Sequence, residues 1–366
     1  MSAVNTYPTP IGRNTVRALI LLVVLSAPVV SQATVYCVEN ETQVQSTMDM
    51  ALASSDALVE VHIKTGNYLF DSGDWGYFGV LQGTNKTLWI SGGWSGSPGQ
   101  CTTQDGDVAS TVFWGLSQRK VFGFNASTTF TGSAIIENMT FGGGFIDTGS
   151  SASCLSLGEQ TGGVMGIRLD RVWVANCTAT SNVTGAAVSL ASSASMLVRN
   201  SVFANIDAGG GLPLSVVLKA GVGYVLNNTI ADNVSANVNG FVGLYANATN
   251  GAALTVSNNL LDGNVATAHA RVDVLVGTGV SLQNNRFTGI FGVPVANIGS
   301  STGSAGFISG SFQLSSSSTA RDAGAFYAPI IQGVWDVAAQ QRVRGSAVDL
   351  GALELQLLLK DGFESP

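Results

Sequence analysis

Charge is what this 366-residue chain has least of: Asp, Glu, Lys and Arg together supply 11% of it, against about a quarter in an ordinary globular protein. Histidine is scarcer still, with only His62 and His269, and the four cysteines include no C-x-x-C pair. These shortages exclude the familiar zinc ligand sets, so no metal and no cofactor is expected. P-loop, nucleophile-elbow and zinc-hydrolase motifs are missing as well. The 23 acidic residues outnumber the 16 basic ones, giving a formal net charge of −7, which makes nucleic acid and anionic membranes poor partners. Low charge does not imply disorder here, because 45% of the residues are hydrophobic and disordered chains cannot bury a core of that size.

Long apolar runs are missing apart from one near the start. Arg13 and Arg17 precede a 13-residue stretch, Ala18 to Val30, followed by the small residues Ser31 and Ala33. Crossing a bilayer takes roughly 18 to 20 apolar residues. The pattern therefore predicts a secretory signal peptide over 1–33 and no transmembrane anchor in the mature chain. Losing Arg13 and Arg17 leaves 14 basic against 23 acidic residues, a net of −9. Four cysteines in an exported chain predict two disulfides, with free buried thiols as the alternative. Of the three possible pairings, the 23-residue spacing of Cys154 and Cys177, close to one repeat, favours Cys37–Cys101 with Cys154–Cys177.

What the chain does have is repetition. The segments IIENMTF (135–141), LDRVWVANC (169–177), LVRNSVFANI (197–206), VLNNTIADNV (225–234), TVSNNLLDGNV (255–265) and SLQNNRFTGI (281–290) return to one pattern. Aligned on Asn138, Arg171, Asn200, Asn228, Asn258 and Asn284, the steps are 33, 29, 28, 30 and 26 residues, the period of a solenoid. Each unit holds short strands separated by Asn or Gly corners and shows no helical period. The expected fold is all-β: a right-handed parallel β-helix with a short N-terminal capping helix. Asn suits such corners because it tolerates the left-handed conformation, and stacked amides form ladders. At the N-terminus, residues 39–56 place Val44, Met48 and Ala51 or Leu52 at helical spacing with Thr42 as N-cap. The expected organisation is a signal peptide (1–33), a cap with the first coils (34–120), β-helix repeats (121–311), C-terminal coils with a closing motif (312–354) and a short tail (355–366).

The order GNY (66–68), LWISGGW (88–94), Cys101 and STVFWG (110–115), followed by repeating coils, resembles bacterial secreted right-handed β-helix repeat proteins. The segment FQLSSSSTARDAG (312–324) with Asp349-Leu350-Gly351-Ala352-Leu353-Glu354 resembles the C-terminal region of choice-of-anchor Q proteins. That family often carries Ser-Pro-x-x-Asp where this chain has Ser-Thr-Ala-Arg-Asp at 318–322. The resemblance implies architectural roles for Asp322 and Asp349, packing the last coils. The ending Asp361-Gly362-Phe363-Glu364 resembles tails on exported proteins of Gram-negative bacteria, which implies secretion or display at the outer cell surface.

Catalytic groups are few. Pectin-hydrolase β-helices use clustered aspartates with a Gly-His-Gly, and this chain has neither. Glycoside hydrolysis takes two carboxylates about 5 to 10 Å apart; Asp232 and Asp262, at similar repeat positions, are the candidates. Lyase chemistry needs a base beside acid-held Ca²⁺, for which Lys219 and Arg199 with Asp207 are the candidates. Asp232 and Asp262 are more simply read as paired corner residues, and nothing in the sequence fixes Lys219, Arg199 and Asp207 on one face. Among the clustered aromatics of the N-terminal third, core packing is the simpler reading, with Trp75 and Trp94 as exposed candidates for stacking on sugars. The reading that follows is an exported non-catalytic β-helix protein contacting a polysaccharide or cell-surface glycan. The alternatives are a polysaccharide lyase or hydrolase with a lateral groove, and a self-associating adhesin or matrix component.

Overall fold

Alternating apolar and small residues make each repeat a run of short strands whose inward side chains meet only when coils stack. The structure, a computed structural model, describes residues 33–71, 73, 75–147, 152–180 and 186–355. The apolar leader up to residue 32 and the tail from 356 to 366 lie outside the described residues. The chain forms a parallel β-helix. Its first face stacks Leu58–Lys64, Thr84–Ser95, Thr131–Gly142, Val164–Ala175, Met196–Arg199, Val222–Leu226, Ala253–Ser257 and Val280–Gln283 in parallel. The second face uses the far halves of the longer strands, then Val202–Ala204, Thr229–Ala231 and Leu260–Asp262. An 8-stranded sheet from Trp75–Leu81 to Ile290–Phe291 is the third.

One inward column of the first face reads Val61, Ile90, Ile136, Leu169, Val198, Val225, Val256 and Leu282 in unbroken register. All are buried, and each contributes about 1.5–3 kcal/mol through the apolar surface it removes from water. The aromatic cluster of the N-terminal third belongs to the same core: Phe122 lies 5.7 Å from Phe113, 5.4 Å from Phe141 and 5.5 Å from Tyr77, centre to centre.

The corners between the first and second faces are the left-handed positions that the asparagines predict. Asn138, Arg171, Asn200, Asn227, Asn258 and Asn284 have φ between +50° and +56°. The fourth member is Asn227 rather than Asn228, so the alignment is corrected by one residue and the steps become 33, 29, 27, 31 and 26. Asn228 has a different job. It begins an inner ladder in which its Nδ2 donates to Asn259 Oδ1 at 2.9 Å and Asn259 Nδ2 donates to Asn285 Oδ1 at 3.0 Å. The backbone N–H of Asn228 and that of Asn259 donate to the same oxygens, each at 3.0 Å. A second ladder joins Asn233 to Asn264 at 3.0 Å.

Helix α1 (Glu41–Ala53) covers the N-terminal end, burying Val44, Met48 and Ala51. Asn40, not Thr42, is its N-cap: the Asn40 side chain accepts from Gln43 N, and Thr42 donates to Asn40 Oδ1. At the other end, buried Lys86 donates to the carbonyls of Ala51, Leu52 and Ser54 at 2.7–3.0 Å, a cation at the negative end of the helix dipole.

Beyond residue 301 the chain leaves the solenoid. Where coils are expected over 312–354, the described residues show one short helix and three antiparallel bridges, Phe307 with Leu314, Gly324 with Val348 and Trp335 with Gln341. This strap runs back over the first corner, past coils laid down more than a hundred residues earlier. Asn258 exchanges two 2.8 Å bonds with the backbone of Ala325. The short helix α2 (Pro329–Gln332) lies over Arg199 and Asn200, and Ala352 N reaches Thr229 Oγ1 at 2.9 Å. Asp322 and Asp349 hold the strap to itself: Asp349 Oδ1 accepts from Asp322 N, and Asp322 Oδ1 from Ala347 N. Around them Thr319 meets Arg286 and Gly351 meets Asn258, on two neighbouring coils.

Both disulfides match the favoured pairing, with Cα–Cα distances of 5.6 Å for Cys37–Cys101 and 6.0 Å for Cys154–Cys177. The second joins consecutive coils, since Cys154 N bonds Ala187 O in the next. Replacing both Cys154 and Cys177 by serine is expected to lower stability by about 3 kcal/mol for a loop of this length, checked by the urea midpoint against the disulfide-intact chain.

Candidate functional site

Side chains that point outward at equivalent positions form columns along the solenoid, one every ~4.8 Å. The residue just before each first corner is such a position, and there the chain places Glu137, Asp170 and Arg199 on consecutive coils. Arg199 Nη2 donates to Asp170 Oδ2 at 2.5 Å, Arg168 Nη2 to the same oxygen at 2.8 Å, and Arg168 also lies 3.8 Å from Glu137. Burial raises the pKa of Glu137. Burial also pulls Asp170 upward, but the bonds from Arg199 and Arg168 outweigh it and hold that carboxyl below its ordinary value. The sequence reading missed Glu137 and Asp170, although an acid immediately before the corner recurs 33 residues apart. Two carboxyls pushed in opposite directions are a pattern found in acid–base sites. Here the cluster is closed, because Arg199 also donates to Ile330 O and Ile331 O of the strap at 2.8 and 2.9 Å. It anchors the strap, and Glu137 and Asp170 are almost fully covered.

The expected lyase trio is not brought together. Arg199 belongs to this cluster, Lys219 follows the third face and pairs with Glu159 at 3.4 Å, and Asp207 lies two residues past the second corner, bridging Thr178 and Val234 and accepting from Gly209 N. Asp232 and Asp262 do lie on adjacent coils, joined by Asp232 N to Asp262 O at 3.1 Å. Their side chains are employed differently: Asp262 Oδ2 accepts from Ala305 N at 2.6 Å and Ser304 Oγ at 3.0 Å, pinning the start of the strap. Asp232, its pKa raised by burial and then by Asp262, opens into a hollow beneath the strap.

Within the strap, Arg342 is fully buried beside Glu354 and bonds Asp349 O at 3.0 Å and Gly351 O at 2.5 Å. Burial outweighs the attraction of Arg342 and pushes Glu354 up to about 8, with Asp349 and Asp336 adding to the rise. A raised acid pKa means that the folded strap keeps a proton which the unfolded chain loses near the ordinary Glu value of about 4.3. Its contribution is full below that value and declines as pH rises to about 8. Proteolytic protection of residues 302–355 should therefore be greater at pH 5 than at pH 9, and Glu354→Gln should flatten the difference; an unchanged profile in that variant would refute the assignment.

Trp94 is half-buried and has one ring face occupied, stacked on His62 at 3.6 Å with 7° between planes. Trp75 is half-buried on the third face, 5.0 Å from Phe78, with Lys120 Nζ 5.1 Å from its ring centre. It stands at one end of the third face, paired with Lys120. Phe78, Gly123, Ser156, Ser189, Ser215, Tyr245, Leu275 and Phe291 share one outward column there. The next column carries Val80, Asn125, Gly158, Ala191, Val217 and Asn247. Neither contains a charged residue, and Phe241 with Phe291, 5.6 Å apart, closes the far end.

No group of three or more His, Cys, Asp or Glu side chains among the described residues is arranged to hold a metal ion, and no helix among them is long and apolar enough to cross a membrane. Compared with protein-family models, curated proteins and solved structures, the chain matches none.

Proposed function

We propose that the chain is an exported, non-catalytic β-helix protein of the cell surface or extracellular space, and that its third face contacts neutral glycans. The observation that carries this is the uncharged outward column from Phe78 to Phe291, hydroxyls in the middle and aromatic rings at both ends. Rings offer an apolar face to the C–H side of a sugar while hydroxyls and amides bond its edges, and a net charge of −7 disfavours acidic polymers. The signal-like start, the paired cysteines and the resemblance of 349–354 to choice-of-anchor Q proteins support export from a bacterium; the Asp361–Glu364 ending supports a Gram-negative one. Against catalysis stands the engagement of Arg199, Lys219 and Asp262 in ion pairs or strap contacts.

Pull-down of the chain with a panel of neutral and acidic polysaccharides, scored together with new reducing or unsaturated ends, tests the proposal. Retention on neutral polymers, lost in Ser215→Arg without a change in circular dichroism, is the expected result. Product formation, or retention indifferent to Ser215→Arg, would overturn it.

A second reading, self-association, is favoured by the C-terminal end of the solenoid. There the last strands, Ile290–Phe291 and Ala296–Ile298, leave Phe291, Val293, Val295 and Ile298 60–88% exposed, and open edges of this kind pair with further strands. Sedimentation of the chain against Val293→Lys/Val295→Lys decides: a concentration-dependent assembly that the variant abolishes supports this reading, and a monomer in both removes it.

A further inference from the structure

Between the strap and the second corner lies a hollow of about 730 Å³, bounded by Trp173 and Asp232 on the solenoid side and by Phe307 and Phe312 on the strap side. That volume is within the range of small-molecule sites. The aromatic wall is continuous: Trp173 and Phe312 are 5.9 Å apart and Phe312 and Phe307 5.7 Å, centre to centre. The polar wall comes from two left-handed corner residues on neighbouring coils, Asn205 and Asp232, both with φ of +54°. That backbone conformation directs their side chains away from the core, and both are exposed.

The charges in this hollow do not balance. Among the described residues no salt bridge and no side-chain hydrogen bond reaches the Asp232 carboxylate, while Asp262 beside it is occupied by Ser304 and Ala305. None of the residues lining the hollow is basic. Neutral sugar would find acceptors here, but it would leave the carboxylate uncompensated. A cation would meet it and would also be drawn to the electron-rich faces of Trp and Phe. Partial burial first, and then the neighbouring Asp262, raise the pKa of Asp232.

We propose that this hollow binds an organic ammonium group, with Asp232 as its counter-ion and Trp173, Phe312 and Phe307 as its aromatic wall. The site is separate from the third face and does not depend on glycan contact there.

Isothermal titration with choline, and with its neutral isostere 3,3-dimethyl-1-butanol, tests the proposal on the whole chain. Saturable choline binding is expected, with the isostere weaker by about fivefold, the effect of removing the cation from a partly exposed aromatic site. Asp232→Asn keeps a residue suited to the left-handed corner, so it should leave the thermal midpoint unchanged and weaken choline by a similar factor. Trp173→Leu should weaken choline as well, and its midpoint reports whether the fold survives. Absence of saturation at millimolar choline, equal binding of the isostere, or undiminished binding to Asp232→Asn would each overturn the assignment. So would saturable binding of methyl glucoside in place of choline.

Discussion

Replacing Asn259 by alanine is expected to destabilise the chain by about 4 kcal/mol, the cost of leaving several buried polar groups without partners. Asn259 Oδ1 is the acceptor for both the backbone N–H and the Nδ2 of Asn228, at 3.0 and 2.9 Å. Its own Nδ2 donates to Val225 O, Ser257 O and Asn285 Oδ1 at 2.8–3.0 Å. Every residue in this set is buried or nearly so, so water does not replace the lost bonds without opening the corner. A methyl group also leaves a gap in the interior, adding to the cost. Urea unfolding against Asn239→Ala, an exposed asparagine, is the measurement. Equal midpoints for the two variants would mean that the ladder is incidental to stability.

A comparable loss, about 3–5 kcal/mol, is expected for Arg199→Met, which keeps the apolar stem and removes the partner of a buried carboxylate. Asp170 would retain Arg168 as its one ion-pair partner, with Asn200 Nδ2 at 3.4 Å, and α2 would lose the guanidinium that holds Ile330 O and Ile331 O. The pH dependence has a definite sign. The depressed pKa of Asp170 gives stability that is present above the ordinary Asp value of about 3.9 and is lost as pH falls through the lower, folded value. Since the variant lacks most of that depression, the gap between the two proteins should be widest near neutrality and shrink below pH 4. Thermal midpoints across pH, with limited proteolysis of residues 302–355, check both parts. A strap as well protected in Arg199→Met as in the parent would dismiss the anchoring role.

The solenoid was readable because its cause is local: a strand, a corner that wants left-handed backbone, another strand, repeated about every 30 residues. The one-residue slip at Asn227 has an equally local reason. The doublets Asn227-Asn228, Asn258-Asn259 and Asn284-Asn285 put a corner residue and a ladder residue side by side, and letters alone do not separate the two roles. Trp75, expected to be exposed because of its small neighbours, is half-buried against Phe78 and Lys120. Trp94 was not fully read, because its partner His62 belongs to the previous coil and meets it across a register shift between His62 and Lys64. The charged cluster could have been found by aligning the residue before each corner, which gives Glu137, Asp170 and Arg199. The strap has no such route. It lacks period, and its contacts join residues up to 132 positions apart, such as Ala352 with Thr229 and Ile331 with Arg199.

That separation also orders events in time. Neighbouring coils meet after about 30 residues of chain, so the solenoid grows by short loop closures and can begin before synthesis is complete. The strap cannot complete its docking until its last residues have emerged, since Ala352 and Gly351 carry its attachments to Thr229 and Asn258. Folding therefore finishes at the middle of the molecule rather than at its tip. A nascent chain stalled before residue 320 would hold a stack of coils with Arg199, Asn200 and Asn258 still bare, a species that a strap supplied as a separate peptide should recognise.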